Sequence, residues 1–173
     1  MANPTLILIA SSTVGSGGVS SVTFSSIPAT YTDLVVKMSA RTASTTGIAV
    51  DNILAQFNGI TTSVYSEKGL GGNGSSAYSQ SFSRSVVGTG LADTSSATSN
   101  TFGNTELYIP NYTSSNYKST SADGVTENNA TGSWVEMDAG LFSNTSPITS
   151  ITFSSNGNFV QYSTFYLYGI NNS

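Results

Sequence analysis

Apolar and polar residues alternate with a period of two along most of this chain. In residues 34–41 (LVVKMSAR), for example, Leu34, Val36 and Met38 fall on one side and Lys37 falls on the other. Successive side chains of a β-strand point to opposite faces of a sheet, so this pattern predicts half-buried strands. No helical period persists for three turns. The sequence therefore predicts an all-β protein.

Strand-like segments recur about every 8–12 residues, a spacing typical of β-sandwiches and barrels. About nine or ten such segments fit into the 173 residues. We therefore predict one domain over residues 1–173, an antiparallel β-sandwich with a jelly-roll-like arrangement. The strand-like segments at the two ends of the sequence are expected to lie next to each other.

Turn signals divide the segments. Asn58-Gly59 is the strongest hairpin signal and predicts pairing between residues 53–58 and 64–68. Residues 78–87 and 159–170 are each predicted to form one strand, and residues 111–121 an irregular loop or an edge strand. Residues 69–76 and 88–99, rich in Gly, Ser and Thr, are predicted to be loops.

Charged residues make up only 8% of the chain, and the net charge is −4. The five basic residues are scattered, whereas a nucleic-acid-binding surface needs clustered basic residues to neutralise phosphates. The longest apolar run, residues 6–10, is far shorter than the roughly 20 residues that cross a bilayer. We therefore expect neither a nucleic acid nor a membrane as partner.

The chain contains no His and no Cys. Their absence removes Ser–His and cysteine catalysis, disulfides, iron–sulfur clusters and nearly all zinc sites. We therefore expect no cofactor, no resident metal ion and no enzymatic activity.

Three carboxylates are the enzymatic alternative. Glu136 and Asp138 are two residues apart and share a strand face, and either one combined with Glu106 would suit a glycoside hydrolase. Calcium binding is a second alternative at Glu136 and Asp138, and in the loop around residues 123–129. The favoured interpretation is a polar outer face, opposite an inner face that carries Val135 and Met137.

Two other features have a functional and a structural interpretation. The GLGGNG run at 69–74 matches the dinucleotide-binding pattern, but a strand pattern follows it, which favours a plain hairpin loop. Tyr112, Tyr117 and Trp134 fall at loop or outward positions and are the candidate contact residues for a partner protein or a glycan. Packing beneath a loop is the structural alternative for these three aromatic residues.

Three segments carry a resemblance to a known group of proteins. They are residues 8–41 (LIASSTVGSGGVSSVTFSSIPATYTDLVVKMSAR), residues 104–130 (NTELYIPNYTSSNYKSTSADGVTENNA) and residues 157–170 (GNFVQYSTFYLYGI). In this order they resemble small virion structural proteins of tailed phages that infect marine bacteria and cyanobacteria. The resemblance implies a jelly-roll-like β-sandwich with a structural role, and it gives no catalytic residues.

Within that group the first expectation is a capsid decoration or cement protein that binds and stabilises the assembled shell. Its partners would be the major capsid protein or other virion proteins, together with copies of itself, a trimer being favoured. It would be made in the host cytoplasm and end on the outer surface of the virion. The alternative is a tail fibre or a receptor- or carbohydrate-binding tail subunit. The chain shows no repeat and no coiled-coil segment, which favours decoration.

Overall fold

The computed structural model describes residues 5–45, 47–129 and 132–171. This part of the chain contains twelve β-strands and no helix. The strands pair in antiparallel fashion within two sheets, so the prediction of an all-β, antiparallel β-sandwich is confirmed. The strands are β1 (Leu6–Thr13), β2 (Val19–Phe24), β3 (Asp33–Ala40), β4 (Val50–Phe57), β5 (Tyr65–Gly72), β6 (Ala77–Arg84), β7 (Val87–Asp93), β8 (Gly103–Ile109), β9 (Lys118–Thr126), β10 (Trp134–Phe142), β11 (Ile151–Phe159) and β12 (Thr164–Ile170).

The two sheets differ in size. The large sheet has eight strands in the order β1-β12-β3-β8-β9-β10-β5-β6, and the small sheet has four in the order β2-β11-β4-β7. β1 pairs with β12, as expected for the strand-like segments at the two ends of the sequence. A jelly-roll-like arrangement stays a prediction.

The core lies between the inner faces of the two sheets. The apolar side of β3 faces inward as predicted, with Leu34 and Val36 fully buried. At one end of the core, Phe57 of the small sheet packs against Phe142 of the large sheet, with ring centroids 5.3 Å apart. Tyr65 stacks on Phe142 at 5.0 Å. Aromatic pairs of this geometry add to the stabilisation that burial of their apolar area provides.

The Asn58-Gly59 turn forms, but the predicted hairpin does not. Both residues have positive φ (55° and 65°), and the Ile60 amide donates to the Phe57 carbonyl at 3.0 Å. The chain then crosses between the sheets, because β4 belongs to the small sheet and β5 to the large one. The Asn58 side chain accepts a hydrogen bond from the Thr149 amide (2.8 Å), which attaches the turn to the segment before β11.

The predicted strand at residues 78–87 is two strands in different sheets. β6 ends at Arg84, and β7 begins at Val87 in the small sheet. Most of β7 comes from the predicted loop 88–99, yet every residue of this strand is buried. Small residues permit this packing: Gly90 has a φ of 118°, and a Cβ there would lie 2.6 Å from Thr105.

Two further boundaries were wrong. The predicted strand 159–170 breaks near Tyr162, which has a φ of 72° and separates β11 from β12. The residues assigned to a loop or an edge strand at 111–121 include the start of β9, an interior strand between β8 and β10. These splits account for twelve strands in the described part of the chain, where nine or ten were expected.

The hydroxyl of Tyr65 makes the first testable contribution to stability. It accepts a hydrogen bond from the Phe57 amide at 3.0 Å inside the core. We expect Tyr65→Phe to lower the free energy of unfolding by about 1–3 kcal/mol, because the buried amide loses its acceptor. Tyr166→Phe, at an exposed position of β12, is the matched control and should change stability by less than about 0.5 kcal/mol. Urea unfolding measures both, and equal effects would contradict the assignment.

Candidate functional site

β10 faces the opposite way from the prediction. Glu136 and Asp138 are only 2% and 5% exposed, whereas Val135 and Met137 are 57% and 65% exposed. The physical reason is Phe142, whose ring fills the aromatic core. Because side chains alternate along a strand, an inward Phe142 brings every even-numbered residue of β10 inward. The polar outer face predicted for Glu136 and Asp138 is therefore wrong.

The inward carboxylates belong to a polar cluster on the inner face of the large sheet. We call it the acidic cluster, and it combines three carboxylates with three side chains of β6. Register places the members side by side across β10, β5 and β6. The members are Glu67, Tyr78, Gln80, Arg84, Glu136 and Asp138.

Two glycines of β5 create the space for this cluster. A Cβ at Gly71 would overlap the ring of Tyr78, and a Cβ at Gly69 would lie 2.7 Å from both Gln80 and Asp138. The side chains of β6 therefore lie across β5 to reach β10, and the Gln80 amide donates a hydrogen bond to Glu136. The first glycines of the GLGGNG run belong to a strand, so their prediction as a loop is wrong.

The acidic cluster favours protonated carboxyl groups. Burial, followed by repulsion from Asp138 and Glu67, raises the pKa of Glu136 to about 7. Burial and the charge of Glu67 raise the pKa of Asp138 to about 6, and one carboxylate oxygen of Asp138 is buried without a hydrogen-bond partner. Burial and the neighbouring carboxylates also raise the pKa of Tyr78 to about 12. Arg84 only partly offsets the two carboxyl shifts.

Glu67 connects the acidic cluster to the small sheet. Its carboxylate accepts hydrogen bonds from the Gly88 amide on β7 and from the Arg84 guanidinium on β6. A Cβ at Gly88 would lie 3.0 Å from this carboxylate, which explains a glycine at that position. Hydrogen bonds to a charged acceptor are stronger than those between neutral groups, so Glu67 ties together the two sheets at their polar end.

Glu106 lies on the other face of the large sheet. It forms a surface ion pair with Lys37, and this hydrogen bond raises the pKa of the lysine. Glu136 and Asp138 lie on the inner face, with the sheet between them and Glu106. A glycoside hydrolase needs its two carboxyls in one cleft, so the predicted pairing with Glu106 is wrong.

Metal coordination was the other alternative for the carboxylates. Within residues 5–45, 47–129 and 132–171, no three or more acidic side chains are grouped so that they could hold a metal ion. In the acidic cluster the Gln80 amide donates a hydrogen bond to Glu136, and the Arg84 guanidinium donates one to Glu67. The arrangement is that of an internal hydrogen-bonded cluster.

The structure separates the three aromatic contact candidates. Tyr112 lies in the loop between β8 and β9 and is fully buried, and its hydroxyl donates to the Pro28 carbonyl, which agrees with the structural alternative of packing beneath a loop. Tyr117 is 59% exposed, and Trp134 is half-buried at the start of β10. These two flank opposite ends of the β9–β10 pair, roughly 30 Å apart along the strands. A single stacking platform of all three is therefore not formed, and a contact role for Tyr117 or Trp134 stays a prediction.

The outer face of the large sheet carries an exposed apolar surface that the sequence interpretation missed. We call it the outer apolar patch, formed by Leu70, Val125, Val135 and Met137. Register places Met137 beside Leu70, and Val135 beside Val125. A groove of about 770 Å³, lined mainly by serines, Lys68 and Leu141, lies on the same face. Leu70 was overlooked because its segment was taken for a loop, although it continues the alternation of β5.

No protein-family model, curated protein or solved structure matches this chain. In the described residues no helix has the length and apolar character needed to cross a membrane. Its function must therefore be argued from its own surfaces and side chains.

The raised pKa values predict a pH-dependent stability. In the folded state Glu136 and Asp138 stay protonated at pH values above 4.5 and 3.8, their ordinary pKa values. From roughly pH 4 to roughly pH 7 it binds more protons than the unfolded chain, so these groups make stability fall as pH rises. We expect the loss from Glu136 to reach about 1–3 kcal/mol.

Urea unfolding across this pH range, compared between wild type and Glu136→Gln, measures that contribution. The glutamine keeps an acceptor for Gln80 and removes the titrating group, so the fall of stability with pH should flatten. Glu106→Gln, on the exposed outer face, is the matched control and should have the same pH profile as the wild type. Identical profiles for wild type and Glu136→Gln would contradict the raised pKa.

The glycines of β5 give a second test. We expect Gly71→Ala to destabilise the protein by about 1–3 kcal/mol, because the new methyl group must displace the Tyr78 ring. Gly15→Ala, in the turn after β1 where no atom lies within 4 Å of the added Cβ, should be close to neutral. Thermal or urea unfolding measures the stability of both variants. A neutral Gly71→Ala would show that the Tyr78 ring does not need the space above Gly71.

Proposed function

We propose that this protein is a structural protein of a tailed-phage virion, and within that class a decoration or cement protein that binds the assembled capsid shell. Its resemblance to small virion proteins over residues 8–41, 104–130 and 157–170 supports the class. The β-sandwich fold is compatible with that class. The role is non-enzymatic: the protein stabilises other subunits by binding them.

The outer apolar patch is the observation that carries a binding role. β10 exposes Val135 and Met137 while it buries Glu136 and Asp138, the reverse of the usual arrangement in a soluble strand. Apolar area removed from water contributes roughly 25 cal/mol per Å², so covering this patch favours association. Asp123 lies beside Met137 in the register and Lys68 lies beside the neighbouring Ala139, so a partner must offset the desolvation of these two charges.

The proposed mechanism is stabilisation by mass action. A protein that binds the assembled shell and not the free capsid subunit shifts the equilibrium toward the shell. At a free concentration about 100 times its dissociation constant, it contributes about 2.7 kcal/mol per site. Many equivalent sites on one shell multiply this effect without any new chemistry.

A tail subunit that binds a receptor or carbohydrate is the second candidate. The groove beside the outer apolar patch favours it, since Ser66, Ser81 and Ser83 supply hydroxyls and Lys68 supplies a cation. Exposed Tyr117 is available for stacking on a sugar ring but lies outside that groove. Phe82 is the aromatic residue among those that line the groove.

Copy number separates the two candidates. Quantitative peptide mass spectrometry of purified particles should find on the order of hundreds of copies for a shell protein, because decoration sites repeat with the capsid lattice. A few copies to a few tens would favour the tail subunit. Absence from particles would overturn both virion roles.

Substitution of the outer apolar patch tests the binding face. We expect Met137→Lys to lower shell binding at least tenfold in a co-sedimentation assay, because it places a charge at the centre of the patch. Leu8→Lys is the matched control, since Leu8 is also exposed on the outer face but lies on β1 at the far edge. Both side chains are exposed, so folding should be unaffected. Equal binding by the two variants, or equal binding of wild type to shells and to free capsid protein, would contradict the proposal.

A further inference from the structure

β6 is an open edge of the large sheet. It pairs with β5 and stands last in the strand order, so one side of its backbone has no strand partner. It is eight residues long with an uninterrupted register, and Arg84 is its only charged residue. Proteins usually block such edges with charges, prolines, bulges or shortened strands. Apart from Arg84 at its last position, β6 has none of these features.

The other sheet edges are better protected. β1 contains a register shift between Leu8 and Ala10, which interrupts its edge. β2 is only six residues long. β7 is buried along its whole length. β6 is therefore the edge best suited to pair with another strand.

The backbone pattern of β6 defines which groups face outward. The Asn73 amide donates to the Ser76 carbonyl at 3.2 Å, closing the loop between β5 and β6. Bonded and non-bonded pairs alternate along an antiparallel ladder. Starting from that bond, Tyr78, Gln80 and Phe82 direct their backbone groups toward β5. The amides and carbonyls of the intervening odd-numbered residues, 77 to 83, point to the open edge.

We propose that a second copy of this chain pairs with β6 in antiparallel fashion, about a two-fold axis at Ser81. When Ser81 lies opposite Ser81 and Ser79 opposite Ser83, each outward-facing amide of one strand faces an outward-facing carbonyl of the other. The two eight-stranded sheets then form one continuous sheet. Pairing of this kind is isologous, so it closes at two copies.

Charge favours this register over an axis at Gln80. Inside the acidic cluster, Arg84 lies at the Glu67 end, and Glu136 lies at the other end beside Tyr78. An axis at Ser81 places the second copy's Arg84 opposite Tyr78, at the end that lacks a cation of its own. An axis at Gln80 would move that guanidinium by two residues, to a position opposite Ser76 in the loop before β6. The axis at Ser81 therefore adds a long-range attraction only, because each Arg84 stays bound to Glu67 of its own copy.

Packing also fits this register. Phe82 is 41% exposed at the edge, with the Arg84 guanidinium 4.5 Å from its ring centroid. The second copy's Gln80 would lie opposite Phe82 and cover part of the ring. On the outer side, Ser79, Ser81 and Ser83 are small enough for close approach of the two strands. Pairing at β6 does not depend on the proposed virion function, and it predicts a dimer where the sequence interpretation favoured a trimer.

Disulfide trapping tests the pairing directly, because the chain has no cysteine of its own. In the proposed register the two Ser81 Cα atoms lie about 5.5 Å apart, within disulfide range. The two Ser79 Cα atoms lie roughly 13 Å apart, which is out of range. Under mild oxidation, Ser81→Cys should give a covalent dimer, and Ser79→Cys or Ser83→Cys alone should not. An equimolar mixture of Ser79→Cys and Ser83→Cys should cross-link to each other.

Light scattering across a dilution series supplies the second measurement. Wild type should have the mass of a dimer, and Ser81→Lys should be monomeric, because two lysines would meet at the axis. Ser121→Lys, on an interior strand of the same sheet, should remain dimeric as a matched control. A monomeric wild type without Ser81→Cys cross-linking, or a trimer, would overturn the proposal. Cross-linking of Ser79→Cys with itself would overturn the register.

Discussion

Four strands cannot cover the inner face of eight, and the polar end of this protein follows from that mismatch. β7, the edge strand of the small sheet, packs on β8, β9 and β10 and only slightly on β5. The inner face beyond it has no apolar layer to contact. Tyr78, Gln80 and Arg84 fill that space together with the inward carboxylates of β10. Glu67 marks the boundary, since it still accepts a hydrogen bond from the small sheet.

The acidic residues of this chain are mostly buried. Six of its nine acidic residues are buried: Asp33, Asp51, Glu67, Asp93, Glu136 and Asp138. Most act as hydrogen-bond acceptors, as when Asp33 accepts from the Tyr108 hydroxyl (2.9 Å) and the Asn111 amide (2.8 Å). Buried carboxylates need such donors to offset lost hydration. The surface is therefore less charged than the composition suggests, which lowers the cost of desolvating it against another protein.

Alternation predicted the fold where only one side of a strand is apolar. β3 was assigned correctly because Leu34, Val36 and Met38 share one side, and Val35 is the one large aliphatic residue on the other. β10 was inverted because Leu141 and Phe142 offer an anchor for either orientation, and only contact with the opposite sheet selects between them. β7 and most of β9 were missed, since their buried positions hold residues such as Gly90, Thr120 and Gly124. Composition marks those residues as loop formers, whereas tertiary packing uses their small size.

The acidic cluster and the outer apolar patch are two consequences of one choice. Turning β10 over would bury Val135 and Met137 and return Glu136 to water, but it would remove Phe142 from its contacts with Phe57 and Tyr65. A buried phenylalanine contributes roughly 1.5–3 kcal/mol from burial alone, with aromatic contacts added. Protonation lowers the opposing cost of the inward carboxyls at mildly acidic pH, below the raised pKa values of about 7 and about 6. The same aromatic core that stabilises the sandwich therefore also exposes the surface most suited to binding another protein.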